Sequence, residues 1–529
     1  MNPQLQLMLQ QALQAFQRGD HRVADSILKG ILRVDSKNLA ALSILGLIRA
    51  SAQKYQEAAE LLGKAARINP NDASIQYNLA KSLADGGCHK QSITHHKKAV
   101  DLTPNNPSAW LNFGKSLSNL KSHAQALDCF ERALGLQPEL AESWFNIGTT
   151  LHELKRFKEA LPHYDKALSL NPSFAQAWAN KAFTLHELKR FDEALLSYNK
   201  AIAIEPDDIP ANWNKSLTLL HLGDYENGWT FYEWRWKTEF QKNSNRHYLK
   251  PLWLGQESLK GKTILIWSEQ GLGDTIQFCR YIKLIANLGA KVFFEVQEPL
   301  LTSFINLEGV DQLIRQGDQP PEFDFHIPLL SLPLALKTTI NTIPKGIGYI
   351  LPPTEKVQHW RNKLGAKEKF RIGLVWSSGH RADTPGLWDY AVRKSIPLKM
   401  FTVLKDVNFE FHSLQKGGEA VAELEKLETD SWLGPKIFNH DDQLNDFSDT
   451  AALIENLDLV ISVDTSVAHM AGAMGKPVWV LTQFSVDWRW SDGQRESWYP
   501  TAKVFSQPSH DDWTSVIESV RRELINFNT

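Results

Sequence analysis

Cysteine is scarce in this chain of 529 residues: Cys88, Cys129 and Cys279 lie far apart, are odd in number and lack metal-ligand spacing. That argues against a disulfide framework and fits reduced thiols used for packing in a reducing compartment. Net charge is nearly absent as well. A formal charge of −2 and a mixed surface give no electrostatic footprint for nucleic acid, and no Lys/Arg-rich run suits lipid head groups. No apolar stretch approaches a membrane span, and the start, MNPQLQLMLQQALQAF, is Gln-rich and amphipathic without the apolar core of a signal peptide. A soluble cytoplasmic chain is the expectation. What the chain has is length, enough for two or three folding units.

The first half repeats. Prolines recur at Pro70, Pro104, Pro138, Pro172 and Pro206, 34 positions apart, and HELKRF appears at 152–157 and again at 186–191. Within a unit the order is large apolar, small, aromatic: Trp144, Gly148, Ala160, Tyr164, Ala167, Pro172, then Trp178, Ala182, Ala194, Tyr198, Ala201, Pro206. Two short helices per unit cross closely only where Gly or Ala replaces bulk, and Pro ends the second helix. This pattern resembles the tetratricopeptide repeat. Six units run from about residue 5 to about 208, with a shorter seventh to roughly 242; the first diverges most, with Ser36 where later units have Pro. Such arrays coil into a superhelix with a concave inner surface. Trp110, Trp144 and Trp178 read as inter-helix packing.

Asn78, Asn112, Asn146, Asn180 and Asn214 keep the same period, although close helix packing does not require them. An amide can donate and accept together, so such a ladder can hold an extended peptide by its backbone without reading its sequence. The competing reading is that each amide bonds its own neighbouring helix. The ladder resembles the one lining the repeat domain of eukaryotic protein O-GlcNAc transferases.

After GDYENGWTFYEWRW, 223–236, the repeat fades, and 237–262 is polar with no sustained period, a connector. Short apolar runs then alternate with helical stretches: TILIW (263–267), KVFFEV (291–296), DFHIPL (324–329), RIGLVW (371–376), FEFHSL (409–414), LDLVISV (457–463) and PVWVLT (477–482). Alternation of this kind predicts parallel sheets with helices on both faces, in two sets flanking a Pro/Gly-rich hinge, PKGIGYILPPTEK (344–356). The expected fold is an α solenoid followed by α/β: a repeat array over 1–242, a linker over 243–261, and two doubly wound, Rossmann-like domains over 262–350 and 351–529 with a ligand cleft between their strand ends.

Two motifs carry chemistry. SEQGLGDTIQF, 268–278, puts two glycines and Asp274 in the turn after the first strand, but it has no Lys-Ser/Thr pair for a P-loop; Gly271 and Gly273 would let the chain turn sharply and present Asp274. DLVISVDTSVAHMAGAMGKPVWVL, 458–481, reads strand, turn, helix, strand: Thr465 or Ser466 can cap the helix, and free N–H groups around Thr465 to Val467 suit a diphosphate. His469, in the first turn, can donate to a phosphate or serve as a structural histidine.

Together these segments resemble the lipopolysaccharide heptosyltransferases and related glycosyltransferases of the GT-B fold, glycosyltransferase family 9, over about 262–507. The resemblance implies that Asp274 is the general base toward an acceptor hydroxyl and that Asp464, Thr465, Ser466, Val467 and His469 hold the donor; Gly273 and Gln277, near Asp274, are expected to bind the acceptor. Weaker correspondences are Ser377 and Ser378 of WSSGH as a phosphate-proximal loop, Arg393 or Lys394 as the basic residue beyond the insertion RADTPGLWDYA, and Lys416 with Glu419 for the ribose. His326 is an acceptor-side candidate, and Trp488 or Arg489 of DWRW either border the donor or pack.

Sugar transfer needs a base and a cationic or N–H partner for the departing nucleoside diphosphate. No D-x-D pair stands at a plausible strand end, so helix N-terminus, Arg and Lys are expected in place of a metal, with a nucleotide sugar as substrate and no cofactor. The resemblance implies inversion by a single displacement. The expectation is therefore a transferase whose repeats present the acceptor, a polypeptide being one candidate; its rival is a non-catalytic repeat scaffold with a degenerate transferase domain. A Rossmann oxidoreductase fails, because G-L-G-D lacks the G-x-G-x-x-G spacing.

Overall fold

The computed structural model describes residues 3–242, 244, 246, 248–379, 393–429, 432–491 and 495–527. Contacts group the chain into two compact units, Met1–Leu188 with Asn199–Pro206 and Lys189–Tyr198 with Asp207–Thr529.

Among the described residues, fourteen helices run from α1 (Pro3–Gln17) to α14 (Tyr225–Tyr232). The turn inside each hairpin holds one left-handed residue: Gly19, Gln53, Gly87, Lys121, Lys155, Lys189 and Gly223, with φ from 58° to 80°. The 34-residue period therefore extends to the first and last hairpins, where the proline signal is missing. Small residues permit the crossings as expected. A Cβ on Gly114 would lie 2.5 Å from the Phe130 ring, one on Gly148 2.9 Å from Tyr164, and one on Gly46 2.7 Å from Leu62. His96 takes the place that Leu62 and Phe130 fill in neighbouring units. It is fully buried, neither ring nitrogen has a hydrogen-bond partner among the described residues, and burial pushes its pKa down to about 4.

The periodic tryptophans are only half-buried and do more than pack. The indoles of Trp110, Trp144 and Trp178 donate to the carbonyls of Pro104, Pro138 and Pro172 at 2.8, 2.8 and 3.0 Å, tying each first helix to the turn before it. Gln76 makes the equivalent bond to Pro70, at 2.8 Å, in a unit without the tryptophan.

The second unit contains two parallel sheets. The first orders its strands β3-β2-β1-β4, with β1 Thr263–Trp267, β2 Lys291–Val296, β3 Gln312–Arg315 and β4 Phe325–Pro328. The second runs β10-β9-β8-β5-β6-β7, with β5 Arg371–Val375, β6 Glu410–Ser413, β7 Ile437–Phe438, β8 Leu459–Val463, β9 Val478–Thr482 and β10 Ala502–Ser506. In each, strand order reverses beside the first strand, leaving a crevice at the carboxyl ends of β1 and β4 and of β5 and β8. The helices here are α15 (Leu272–Phe278), α16 (Ile282–Asn287), α17 (Leu332–Ala335), α18 (Thr354–Leu364), α19 (Gly418–Thr429), α20 (Phe447–Glu455), α21 (Ser466–Ala473), α22 (Arg495–Trp498) and α23 (Trp513–Phe527). Among the described residues no helix is long and apolar enough to cross a membrane.

The seventh hairpin, α13 (Ile209–His221) with α14, belongs to this second unit rather than to the rest of the array. Tyr225, Trp229 and Tyr232 share one core cluster with Phe278, Trp488 and Trp498, and the Trp498 indole donates to the Tyr225 hydroxyl at 2.9 Å. Just beyond, buried Arg235 grips both oxygens of Glu269 at 2.9 Å and donates to Ser331 at 2.7 Å. The connector is packed too: Trp253 is buried, its N–H bonds the His326 carbonyl at 2.9 Å, and Leu252 makes a parallel bridge to β4.

Candidate functional site

The turn after β1 obtains its sharpness from Gln270, at φ 56°, rather than from a glycine. Gly273 has a different duty. A Cβ there would stand 2.8 Å from Cδ2 of His469 and 3.5 Å from Cα of Ser466, so glycine lets α15 lie against the start of α21. This contact joins the two sequence motifs, one from each sheet.

Asp274 stands in the first turn of α15, where its Oδ2 accepts from the Gly271 N–H at 3.0 Å. Its Oδ1 accepts from Nη2 of Arg489 at 2.7 Å. The same guanidinium donates from Nε to Gln277 Oε1 at 2.8 Å and from Nη1 to both oxygens of Asp487 at 3.1 and 3.2 Å, and it lies over the Trp488 ring. Burial works against the Arg489 charge, yet Asp487 and then Asp274 outweigh it and hold its pKa well above the ordinary value. Trp488 itself is buried among Tyr225, Trp229 and Trp498 and packs.

Across the contact, Asp464 follows β8. It is ion-paired with Lys394 and accepts from the Trp490 indole at 2.8 Å. Burial alone would raise its pKa; Lys394, then His469, hold it below the usual carboxylate range. His469 is buried, its Nδ1 lies 3.0 Å from the Tyr499 hydroxyl and its Nε2 3.9 Å from Asp464. Burial, only partly offset by Asp464, pushes its pKa down to about 4, so the ring is neutral near pH 7. Thr465 is the N-cap residue of α21, but its hydroxyl faces Ser462 Oγ at 3.1 Å and makes no cap bond. Ser466 is half-buried and Val467 buried at the helix start.

The loop after β5 is satisfied internally. Gln415 Oε1 accepts from the Trp376 and Ser377 N–H groups at 3.2 and 3.0 Å, and Ser395 Oγ accepts from the Ser378 N–H at 3.0 Å. Those amides are therefore engaged by side chains. The insertion RADTPGLWDYA, 381–391, and His380 lie outside the described residues.

Other candidates stand apart. His326 sits within β4, opposite Leu265 rather than at the strand end, and accepts from the Trp267 indole at 3.3 Å beside Tyr248. Lys416 donates to the Asp441 carbonyl at 2.7 Å, while Arg393 and Glu419 are exposed. In the ladder all five amides are half-buried at one position of successive first helices. Asn112 donates to the Tyr77 hydroxyl at 2.9 Å, Asn146 to the Glu142 carbonyl at 2.6 Å and Asn180 to Thr149 Oγ1 at 3.2 Å, while among the described residues no such bond distinguishes Asn78 or Asn214. The local-bond reading thus accounts for these three N–H groups and leaves their carbonyl oxygens as acceptors. A groove of about 390 Å³ runs past Lys115, Glu142, Asn146 and Gln176, floored by Phe145 and Phe174, whose rings are 4.7 Å apart.

Sequence reasoning named Lys394 and Arg489 but missed what they pair with, and it missed Trp490, Tyr499, Gln415 and Ser395. The available signal was DWRW itself: an Asp and an Arg alternating with two tryptophans just past a strand end are costly to bury unless each charge has a partner.

Tetratricopeptide-repeat models match residues 9–73, 51–107, 107–140, 141–174 and 175–208, so this part of the chain is a tetratricopeptide array. A curated relative, Protein FlbA of Caulobacter vibrioides, is 27% identical over 335 residues, covering 58% of this chain and 53% of FlbA. The chain thus spans about half the length of that relative. Similar solved structures include YrrB, described as a tetratricopeptide protein with an unusual peptide-binding site (22% identity, TM-score 0.31, 36% of this chain and 98% of that one). MamA (22%, TM-score 0.29, 31% and 95%) and the Cut9–Hcn1 hetero-tetramer (18%, TM-score 0.35, 44% and 52%) are others.

Proposed function

We propose that the α/β region is a GT-B glycosyltransferase acting on a nucleotide-sugar donor, and that the repeat array presents its acceptor, a polypeptide. The observation that carries this reading is the meeting of α15 and α21 at Gly273 and His469, which brings the Asp274 turn of one parallel sheet to the Asp464 turn of the other. In the reaction, the acceptor oxygen forms a bond to the anomeric carbon while the bond from that carbon to the phosphate oxygen breaks. The bonding pair leaves with the nucleoside diphosphate, the hydroxyl proton goes to the Asp274 carboxylate, and attack from the face opposite the departing phosphate gives inversion. Lys394, Arg489 and the N–H groups at the start of α21 supply positive potential for the leaving group without a metal. Along the array, Asn146 and Gln176 beside Phe145 and Phe174 offer amides for a peptide backbone and an apolar floor for its side chains.

The second reading is a repeat scaffold whose α/β region does not transfer. It is favoured by the internal pairing of Asp274 with Arg489 and of Asp464 with Lys394. The two separate when the protein is incubated with a panel of nucleotide sugars and released nucleoside diphosphate is measured. The transferase turns over one donor; Asp274→Ala then loses about 10²–10⁴-fold in turnover while still binding donor, and Asp464→Ala loses donor affinity. Full activity in Asp274→Ala removes the base assignment, and no release from any donor favours the scaffold.

A further inference from the structure

Arg489 occupies an unusual position, and its surroundings suggest more than a clasp. Its guanidinium serves two carboxylates at once, Asp274 and Asp487, so the cluster carries more negative than positive charge. Asp487 also lines a small cavity, about 30 Å³, with Lys394, Asp464 and Thr482 at the carboxyl ends of β8 and β9. Arg489 thus stands one side chain from that cavity, on the segment following β9. A second observation is independent of charge: Gln277 is fully buried, its Oε1 accepts from Arg489, and its Nε2 has no partner among the described residues. A buried amide N–H without an acceptor is costly, because it has given up its bond to water and gained none. An oxygen-rich ligand beside the guanidinium would relieve it.

Resting on the transferase reading, we propose that Arg489 is a cation shared between Asp274 and the diphosphate of the donor. Held on Asp274 Oδ1 in this structure, it moves to the diphosphate when donor binds. The move has two effects. It sets a positive charge where the leaving group gains negative charge, and it vacates the carboxylate oxygen that accepts the acceptor proton. Asp274 thereby competes with the donor for one guanidinium, and the exchange couples donor binding to the readiness of the base.

The competition has a sign that a fixed clasp lacks. Titrate inorganic pyrophosphate and ADP, GDP, UDP and CDP calorimetrically into the full chain as wild type, Asp274→Asn, Arg489→Gln, Arg489→Lys and the Asp274→Asn/Arg489→Gln double variant. For the diphosphate that binds wild type, removing the competing carboxylate in Asp274→Asn tightens binding about tenfold, whereas Arg489→Gln weakens it about tenfold or more, each equivalent to one charge-assisted hydrogen bond. Arg489→Lys falls between, and the double variant behaves as Arg489→Gln alone. Unchanged or weaker binding in Asp274→Asn overturns the proposal while leaving the transferase reading intact. Wild type that binds no diphosphate and releases none from any nucleotide sugar overturns that reading and this proposal together. If melting curves show that Arg489→Gln is unfolded, the isosteric Asp274→Asn arm decides alone.

Discussion

The repeat array and the α/β region are built on different relations between sequence and contact. In the array, partners lie within a unit or between adjacent units: Gly114 meets Phe130, Gly148 meets Tyr164, and each tryptophan bonds a proline six residues before it. In the α/β region the decisive pairs are remote, with Asp274 held by Arg489 215 residues away and Tyr225 by Trp498 273 residues away. Local contacts leave a period in the sequence; remote ones leave almost none. Repeat proteins should therefore lose stability unit by unit, whereas one remote pair can undo a whole α/β unit.

The largest expected effect tests the remote side. Arg235→Met removes the partner of buried Glu269 and leaves an uncompensated charge, so the α/β unit should lose about 3–5 kcal/mol in denaturant unfolding. The repeat helices up to Leu188 should keep their own transition; a single shared transition would break the contrast. A second test uses His96. Its folded pKa of about 4 lies below the ordinary 6.5, so between those values the unfolded chain binds a proton that the folded chain does not. Stability contributed by the array should therefore fall as pH drops from 6.5 to 4, by about 3 kcal/mol in all, and flatten below. His96→Leu, which installs the side chain that Leu62 supplies in the neighbouring unit, should remove that slope, and a slope that persists would assign it to other groups. A third change overfills a local crossing: Gly114→Ala puts a Cβ 2.5 Å from Phe130 and should cost about 1–3 kcal/mol, read as a lowered melting temperature. The smallest effect concerns the hairpin turns. Lys155→Gly relieves a left-handed residue and should stabilise by about 1 kcal/mol, while Asp85→Gly, in a right-handed helix, should not.

Much of the array was legible because its physics is local. The prolines stand just past the ends of the second helices as expected, the small residues meet the bulky side chains they were expected to admit, and even the divergent first unit keeps its left-handed Gly19. The tryptophans were readable as periodic but not as hydrogen-bond donors, since the accepting proline carbonyls are visible only once the turn is folded. In the α/β region the strands were legible from apolar runs, and seven of them mark the two parallel sheets. The short β3, β7 and β10 were missed, because β7 is only two residues long and β3 and β10 mix polar with apolar side chains. Asp274, Asp464 and His469 were singled out by motif, and the fold brings their turns together, whereas the satisfied loop after β5 and the buried place of His326 left no signal, because both depend on which side chain arrives from another strand.

By itself the sequence determined the repeat, its length and its packing code, since each unit carries the same instruction and reads it against its neighbour. It also determined which turns hold carboxylates and which helix begins beside them. Tertiary structure alone decided that Gly273 exists to admit His469, that Lys394 and Arg489 stand on Asp464 and Asp274, and that the last repeat hairpin is part of the α/β core. The reason is desolvation. A buried charge needs a partner wherever the chain can supply one, and the sequence records that need without recording where it is met.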